Sequence, residues 1–269
     1  MKPATAVRLS LIVFSVSLFS GCGTLHNGKA WGEGATISPG WDKVGTSAYK
    51  AMVSPFTWVP VAGAAILQID NWDHRVSRWA SDTTPVFGSQ SNADNWSNYL
   101  LYTSGALYAA TALLAPSRDM AGEWVTDKMK GFIVGGAAVG LSEGTVGILQ
   151  PALKRERPDG SPQSFPSGHA TAAASFSTLA AKNIGTMQLP RSVEIASDSG
   201  LVLLTAGTAW ARVEAKRHFP ADILAGMAIG HFISAFVNDA FLGLDNSQGV
   251  VPDAELSKNG FMLSVKGFF

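Results

Sequence analysis

The sequence predicts an all-α protein, a bundle of helices, and three observations carry that expectation. Of its 269 residues 46% are hydrophobic and 15% charged, well below the roughly 25% charged residues of an average soluble domain. That leaves ample apolar surface to bury and excludes disorder. The apolar residues fall in long segments led by Ala, Leu, Met and Gly, with few extended β-branched runs, which favours helix over strand. Short stretches rich in Pro, Gly, Ser and Asp separate those segments. Lys plus Arg and Asp plus Glu number 20 each, a balance that argues against a chain-wide nucleic-acid surface.

The elements follow in order. Lys2 and Arg8 precede an eleven-residue apolar run over 9–19, and then come Ser20, Gly21 and Cys22. This is the layout of a secretory signal, and the run is too short to span a bilayer well. Small residues at the cleavage point with the chain's only Cys directly after them resemble a bacterial lipoprotein signal, although Phe19 stands where Leu is usual. The resemblance implies removal of 1–21, lipidation of Cys22, and attachment to the inner leaflet of an outer membrane facing the periplasm. The alternative is an ordinary signal with an unrelated Cys. A lone Cys also excludes an internal disulfide and a Cys-based zinc site.

Residues 22–50 are rich in Gly, Ser and Thr and read as a tether. A helical domain follows over 51–245, with helices expected at 56–69, 72–80, 95–115, 119–150, 168–183, 197–213 and 220–242. Loops are expected at 82–88, 115–117, 157–167 and 187–191. The tail, 246–269, alternates weakly at Phe261, Leu263 and Val265, a pattern that allows a short strand or strand pair. Only 51–69 and 95–117 run for 18 or more residues without Asp, Glu, Lys, Arg or His, and both carry Pro or several polar residues. The apolar segments therefore read as buried helices of a lipid-anchored bundle rather than as multiple spans.

Three clusters carry chemistry. The first runs from Gln150 through Lys154 to Arg157-Pro158, the second is Pro166-Ser167-Gly168-His169, and the third contains Arg212, His218 and Asp222. Ser167 is an N-cap candidate, and Gly168 lets backbone approach a ligand closely. The helix start that follows offers free N–H groups to an anion, with His169 beside it to donate a proton. His218 lies just before a helix begun by Pro220. Asp222, four residues on, is near enough to accept from one ring nitrogen and leave the other free. Arg157 and Arg212 are permanently charged forks that match phosphate oxygens. Together these groups are what phosphoryl transfer needs without a metal.

The ordered triplet resembles the signature of the type 2 phosphatidic acid phosphatase (PAP2) and vanadium haloperoxidase superfamily: Lys, six residues, Arg-Pro; Pro-Ser-Gly-His; Ser-Arg, five residues, His, three residues, Asp. Gln150 stands in place of the Lys and Ala211 in place of the Ser. Lys154, one helical turn beyond Gln150, is a candidate substitute for the missing charge. The resemblance implies a helical bundle of the PAP2 type and hydrolysis of phosphate monoesters through a phosphohistidine. In it His218 is the nucleophile, Asp222 its orienting partner and His169 the acid and base. Arg157, Arg212, Ser167, Gly168 and a weakened Gln150 hold the phosphate oxygens. It implies no metal and no cofactor, with vanadate as an inhibitor. The expected substrate is a phosphorylated lipid or small phosphomonoester, met at the membrane through Cys22, with no nucleic acid partner. Two alternatives stand: a non-catalytic envelope lipoprotein that binds anionic lipid, and a haloperoxidase holding vanadate as cofactor. The remaining imidazoles have plainer roles, with His26 in the tether, His74 on the surface and His231 in the core.

Overall fold

The computed structural model describes residues 24–25, 28–118, 121–244, 249–257 and 260–268. The signal at 1–21 and Cys22 lie outside the described residues, as does His26. Eight α-helices make up the described bundle: α1 Trp41–Val53, α2 Pro55–Ile66, α3 Trp72–Thr83, α4 Gln90–Leu114, α5 Ala121–Leu153, α6 Gly168–Ile184, α7 Arg191–Glu214 and α8 Pro220–Val237. A π-turn over Asn238–Leu242 extends α8. The tail forms an antiparallel pair, β1 Gly249–Ser257 with β2 Gly260–Phe268, in a register that sets Gly249 opposite Phe268. The all-α expectation holds for the bundle, and the weak alternation in the tail does mark a strand pair.

Helix boundaries follow local chemistry. Ser89 caps α4 by accepting from the Asn92 N–H at 3.1 Å. Pro begins both α2 and α8, where a missing N–H costs nothing. Gly88, at φ +75°, ends the turn between α3 and α4.

Helices α6 and α8 form the centre. Helix α6 packs against α4, α5, α7 and α8, while α8 also meets α1, α2 and α5. The α6–α8 approach depends on Gly226 and Gly230, one turn apart on α8. A Cβ on Gly226 would lie 2.6 Å from the Ser167 carbonyl oxygen, and one on Gly230 would lie 2.2 Å from that of Thr171. Ser175 Oγ donates across the same seam to the Gly230 carbonyl at 3.3 Å. Ala170, Ala173 and Ala174 line it from the α6 side, all buried.

Two expectations need correction. The presumed tether belongs to the bundle over much of its length. Trp31 is fully buried, its Nε1 donates to Asn183 Oδ1 at 2.8 Å, and Gly131 leaves the space its ring fills. Residues from Trp41 onward are already helical. The second correction concerns α5, expected as a buried helix. The most apolar window of Gly122–Leu153 has a mean hydropathy of 1.6, yet only 22% of it is buried. Ile133, Leu141 and Ile148 are exposed along its length. The corresponding stretch Pro220–Leu242 is 56% buried and fits the core reading.

Gly230→Ala forces the two central helices apart. We expect a loss of about 2–3 kcal/mol from overpacking, read as a lowered thermal unfolding midpoint. Gly136→Ala, where a methyl would meet open space, is expected to leave the midpoint unchanged or raised.

Candidate active site

Helix α5 ends at Leu153, and the loop 154–167 returns the chain to the start of α6. Within it, the Arg157 N–H donates to the Ser161 carbonyl and that of Ser164 to the Arg155 carbonyl, both at 2.8 Å. The loop is fastened by Arg155. Its Nη2 bonds Asp73 Oδ2 at 2.5 Å and its Nη1 bonds Asp222 Oδ1 at 2.7 Å, while the guanidinium lies 4.4 Å from the Phe219 ring centroid. Both carboxylates are buried. Asp73 Oδ1 accepts from the Ala221 N–H at 2.7 Å, and Asp222 Oδ2 from that of Phe219 at 2.8 Å. Two acids and one arginine thus join the start of α3, the loop and the start of α8.

His218 sits at this junction and is buried. Its Nδ1 lies 2.6 Å from the Ser164 carbonyl oxygen. A carbonyl can only accept, so Nδ1 carries the proton and Nε2 keeps its lone pair. The expected direct partner, Asp222, is 3.9 Å from Nδ1, beyond hydrogen-bond range. Its Oδ2 instead accepts from Ser164 Oγ. Asp222 therefore acts on His218 through Ser164, whose hydroxyl it holds and whose carbonyl fixes the ring.

The first turn of α6 faces the same region. The Ser167 N–H donates to the Asp222 carbonyl at 3.1 Å, tying the two helix starts together. Ser167 makes no side-chain cap, and its Oγ is buried without a partner. Gly168 leaves room for the Glu143 carboxyl, 3.3 Å from where a Cβ would be. His169 Nε2 bonds Asn98 Oδ1 at 2.9 Å. Arg212, also buried, gives Nη1 to Asp94 Oδ1 at 2.6 Å and to Ser97 Oγ at 3.0 Å, while its Nε is buried without a partner. Arg217 reaches the same Asp94 from Nη2 at 3.1 Å.

Convergence also shows in the electrostatics. Burial pushes the His169 imidazole down to about 4, and the charges of Arg212, His218 and Arg157 add to the effect. Burial likewise holds His218 below the usual imidazole range, with Asp222 pulling it back and Arg212 and Arg157 opposing. Burial raises Asp94, but the hydrogen bond from Arg217 and the charge of Arg212 more than offset it. The bonds agree: His169 and Arg212 hold Asn98 and Asp94, one turn apart on α4, and the His218 N–H donates to the Arg212 carbonyl, which brings these three residues to one end of the bundle.

Gln150 and Lys154 behave differently from expectation. Gln150 Nε2 donates to the Pro166 carbonyl at 3.0 Å. It braces the loop before α6 with one of its two amide N–H groups. Lys154 lies beyond the end of α5, exposed, with φ +50°. Its N–H still donates to the Gln150 carbonyl at 3.2 Å, but its left-handed φ turns the side chain off the helical path. Sequence reasoning missed Asp73, Asp94, Asn98, Arg155 and Ser164. No local signal marked Asp94 or Asn98, since they lie in a stretch, 89–98, that is polar at most positions. Among the described residues no group of three or more His, Cys, Asp or Glu converges as a metal cage would require.

Arg155→Ala strands two buried carboxylates. The expected cost is about 3–5 kcal/mol, measured by chemical denaturation, and Asp73→Asn in addition should recover part of it. Acid should also destabilise the fold. The unfolded chain protonates His169 near pH 6.5 and the folded chain only near 4, so stability falls as pH drops through that window. His169→Gln is expected to flatten this slope.

With the geometry in place, comparison with known proteins gives the following. No curated protein matches the chain in sequence. Among solved structures, the first transmembrane PAP2 type phosphatidylglycerolphosphate phosphatase from Bacillus subtilis is similar at a TM-score of 0.48 and 20% identity, covering 71% of this chain and 94% of that one. A family model described as the PAP2 superfamily matches residues 145–242. That stretch contains all three clusters, and over it the chain is similar to the PAP2 superfamily.

Proposed function

We propose that the protein is a metal-independent phosphatase of the PAP2 type that hydrolyses phosphate monoesters of lipids. The observation that carries this reading is the state of His218. Its Nδ1 is held by the Ser164 carbonyl, so an unprotonated Nε2 is available in the region shared with Arg212, Arg157 and His169. Ser167 Oγ and Arg212 Nε, buried donors without protein partners, suit the equatorial oxygens of a phosphoryl group.

In the first step His218 Nε2 attacks phosphorus and the P–O bond to the alcohol breaks. His169 gives its proton to the departing oxygen. In the second, water attacks the phosphohistidine, His169 takes the water's proton, and inorganic phosphate leaves with Nε2 restored. The depressed His169 suits this work, because a bound phosphate dianion offsets the neighbouring guanidinium charge and raises the ring's proton affinity where the proton is needed. Asp222 and Ser164 hold His218 throughout. Arg155 holds Asp222.

The lipid part of the proposal rests on the surface. Helix α5 is uncharged over 131–142 and 144–153, and about 20 helical residues cover the roughly 30 Å of hydrocarbon in a bilayer. Exposed Ile133, Leu141 and Ile148 on α5 and Phe56, Val59 and Val61 on α2 form an apolar belt. Trp72, Trp79, Trp96 and Tyr99 are exposed at the end that holds His169 and His218, and Trp124 and Trp41 at the other. Amphipathic rings at both ends of an apolar belt suit the two membrane interfaces. We therefore place the site at a lipid–water boundary, with lipidated Cys22 as a second attachment and the periplasmic face of the outer membrane as the location. Neither a cofactor nor a metal enters the proposal, and vanadate is its expected inhibitor.

One observation favours a second reading, a non-catalytic binder of anionic lipid: Gln150 offers no charge and gives one of its donors to the Pro166 carbonyl. Phosphate release from p-nitrophenyl phosphate and phosphatidic acid decides between them. The phosphatase reading predicts turnover that falls about a thousandfold or more in His218→Ala, and an acid-labile phosphoenzyme. Acid-stable phosphoenzyme, or full activity in that variant, overturns the His218 assignment. The pH profile is a further check. Neutral His218 and protonated His169 coexist only in acid, so kcat/KM should decline as pH rises from about 4 towards 6.5. The optimum for kcat should lie at higher pH, because bound phosphate favours protonated His169.

A further inference from the structure

A second cavity, of about 600 Å³, lies between α3 and the segments 155–160 and 216–219. It borders the site without containing its imidazoles. Arg155 and Phe219, stacked on each other, form the wall on the side of His218. Arg155 is already neutralised by Asp73 and Asp222. The other cations lining the cavity are not. Arg78 and Lys216 have no carboxylate within ion-pair distance among the described residues, and the hydrogen bond made by the Arg157 side chain is a long one of 3.4 Å to the Gln163 carbonyl. Glu156, exposed, is the one acid in the lining. Ser77 also lines it, 1% exposed, with its Oγ lacking any partner.

A buried free hydroxyl beside three cations, none of them in an ion pair among the described residues, is a site for a multiply charged oxyanion. Arg157 belongs to both places, since its charge reaches His169 and His218 while its side chain lines the second cavity. We propose that this cavity is a phosphate subsite distinct from the catalytic one. It holds a phosphate that is not cleaved, and so selects substrates whose headgroup carries a second phosphoryl group near the scissile one. The proposal rests on the phosphatase reading for its link to turnover, but not for binding itself. The same chemistry would accept free phosphate, and the experiment separates the two sources.

The test compares butyl phosphate with 1,4-butanediol bisphosphate at fixed pH and ionic strength, in the full chain and in Arg78→Gln, Lys216→Gln and Ser77→Ala. The expected result is a KM about tenfold lower for the bisphosphate in the wild type. That advantage should be lost in Arg78→Gln and Lys216→Gln and reduced in Ser77→Ala, while p-nitrophenyl phosphate turnover stays unchanged. Equal KM values, with calorimetry showing that inorganic phosphate binds at one site that these variants do not affect, overturn the subsite. Equal KM values with a second phosphate site lost in the variants support it, with free phosphate as the source. If p-nitrophenyl phosphate is not hydrolysed at all, the phosphatase reading falls. Calorimetric binding of the bisphosphate, weakened or not by Arg78→Gln, then still decides the subsite.

Discussion

The arrangement depends on how closely two helix starts can approach. Helix α6 begins with the segment that carries Ser167 and His169, and α8 begins with the corner that carries His218 and Asp222. Gly226 and Gly230 let α8 lie against the backbone of α6, with no side chain between the Ser167 and Thr171 carbonyls and the opposing helix. Close packing of this kind is unforgiving, because a filled interior cannot absorb an added methyl without backbone movement. The hydrogen bond from Ser167 N–H to the Asp222 carbonyl is available only at that separation. Two residues 49 positions apart in the chain, His169 and His218, stand at neighbouring helix starts because two glycines remove the bulk that would keep those helices apart.

A second constraint is electrostatic and sits behind the first. Two buried carboxylates, Asp73 and Asp222, face a single guanidinium, Arg155. Such an arrangement is weak evidence for net stability, since desolvation of each ion offsets much of the attraction. Its value here is positional. Asp222 is saturated by Arg155, Ser164 Oγ and the Phe219 N–H, so it cannot move toward His218 without giving up one of them. The ring is therefore oriented by a backbone carbonyl, which offers no alternative protonation state. That fixes the tautomer more firmly than a carboxylate would, and it makes the conformation of the loop 154–167 a determinant of the chemistry.

These two constraints explain which parts of the molecule were legible in the sequence. His169, His218, Arg157, Arg212 and Ser167 could be singled out because residue type and spacing within short segments carry their chemistry. Asn98 and Asp94 could not, since they enter the site from a helix some 70 or more positions upstream of His169 and nothing local relates them to it. The Ser164 carbonyl was invisible for a different reason, because every residue has one and only the fold selects which accepts. Seven of the eight described helices and the main loops followed from composition and punctuation, while α1, Trp41–Val53, fell mostly inside the segment read as a tether. Trp31 was misread because its segment is rich in Gly and Thr, a composition that describes a tether until one large ring finds a cavity. Helix α5 was misread because hydropathy measures aversion to water and does not distinguish a protein interior from hydrocarbon.

That last ambiguity bears on how the site reaches a substrate. A bundle whose core side chains are largely Ala, Gly, Ser and Thr gains its tightness from close backbone approach, the strategy of helices that associate where the hydrophobic effect supplies little drive. Many of the larger apolar side chains, Ile133, Leu141, Ile148, Phe56 and Leu203 among them, are exposed. In a soluble protein this distribution would be inverted and costly. Against lipid it is the stable arrangement, since the small residues serve packing and the large ones serve solvation by acyl chains. The end where α6 and α8 begin gathers the buried ionisable groups Asp73, Arg212, His218 and Asp222. On the proposed function, a phosphate headgroup held at that end would keep its own acyl chains alongside the belt, and the substrate would not need to leave the bilayer for its phosphorus to meet His218.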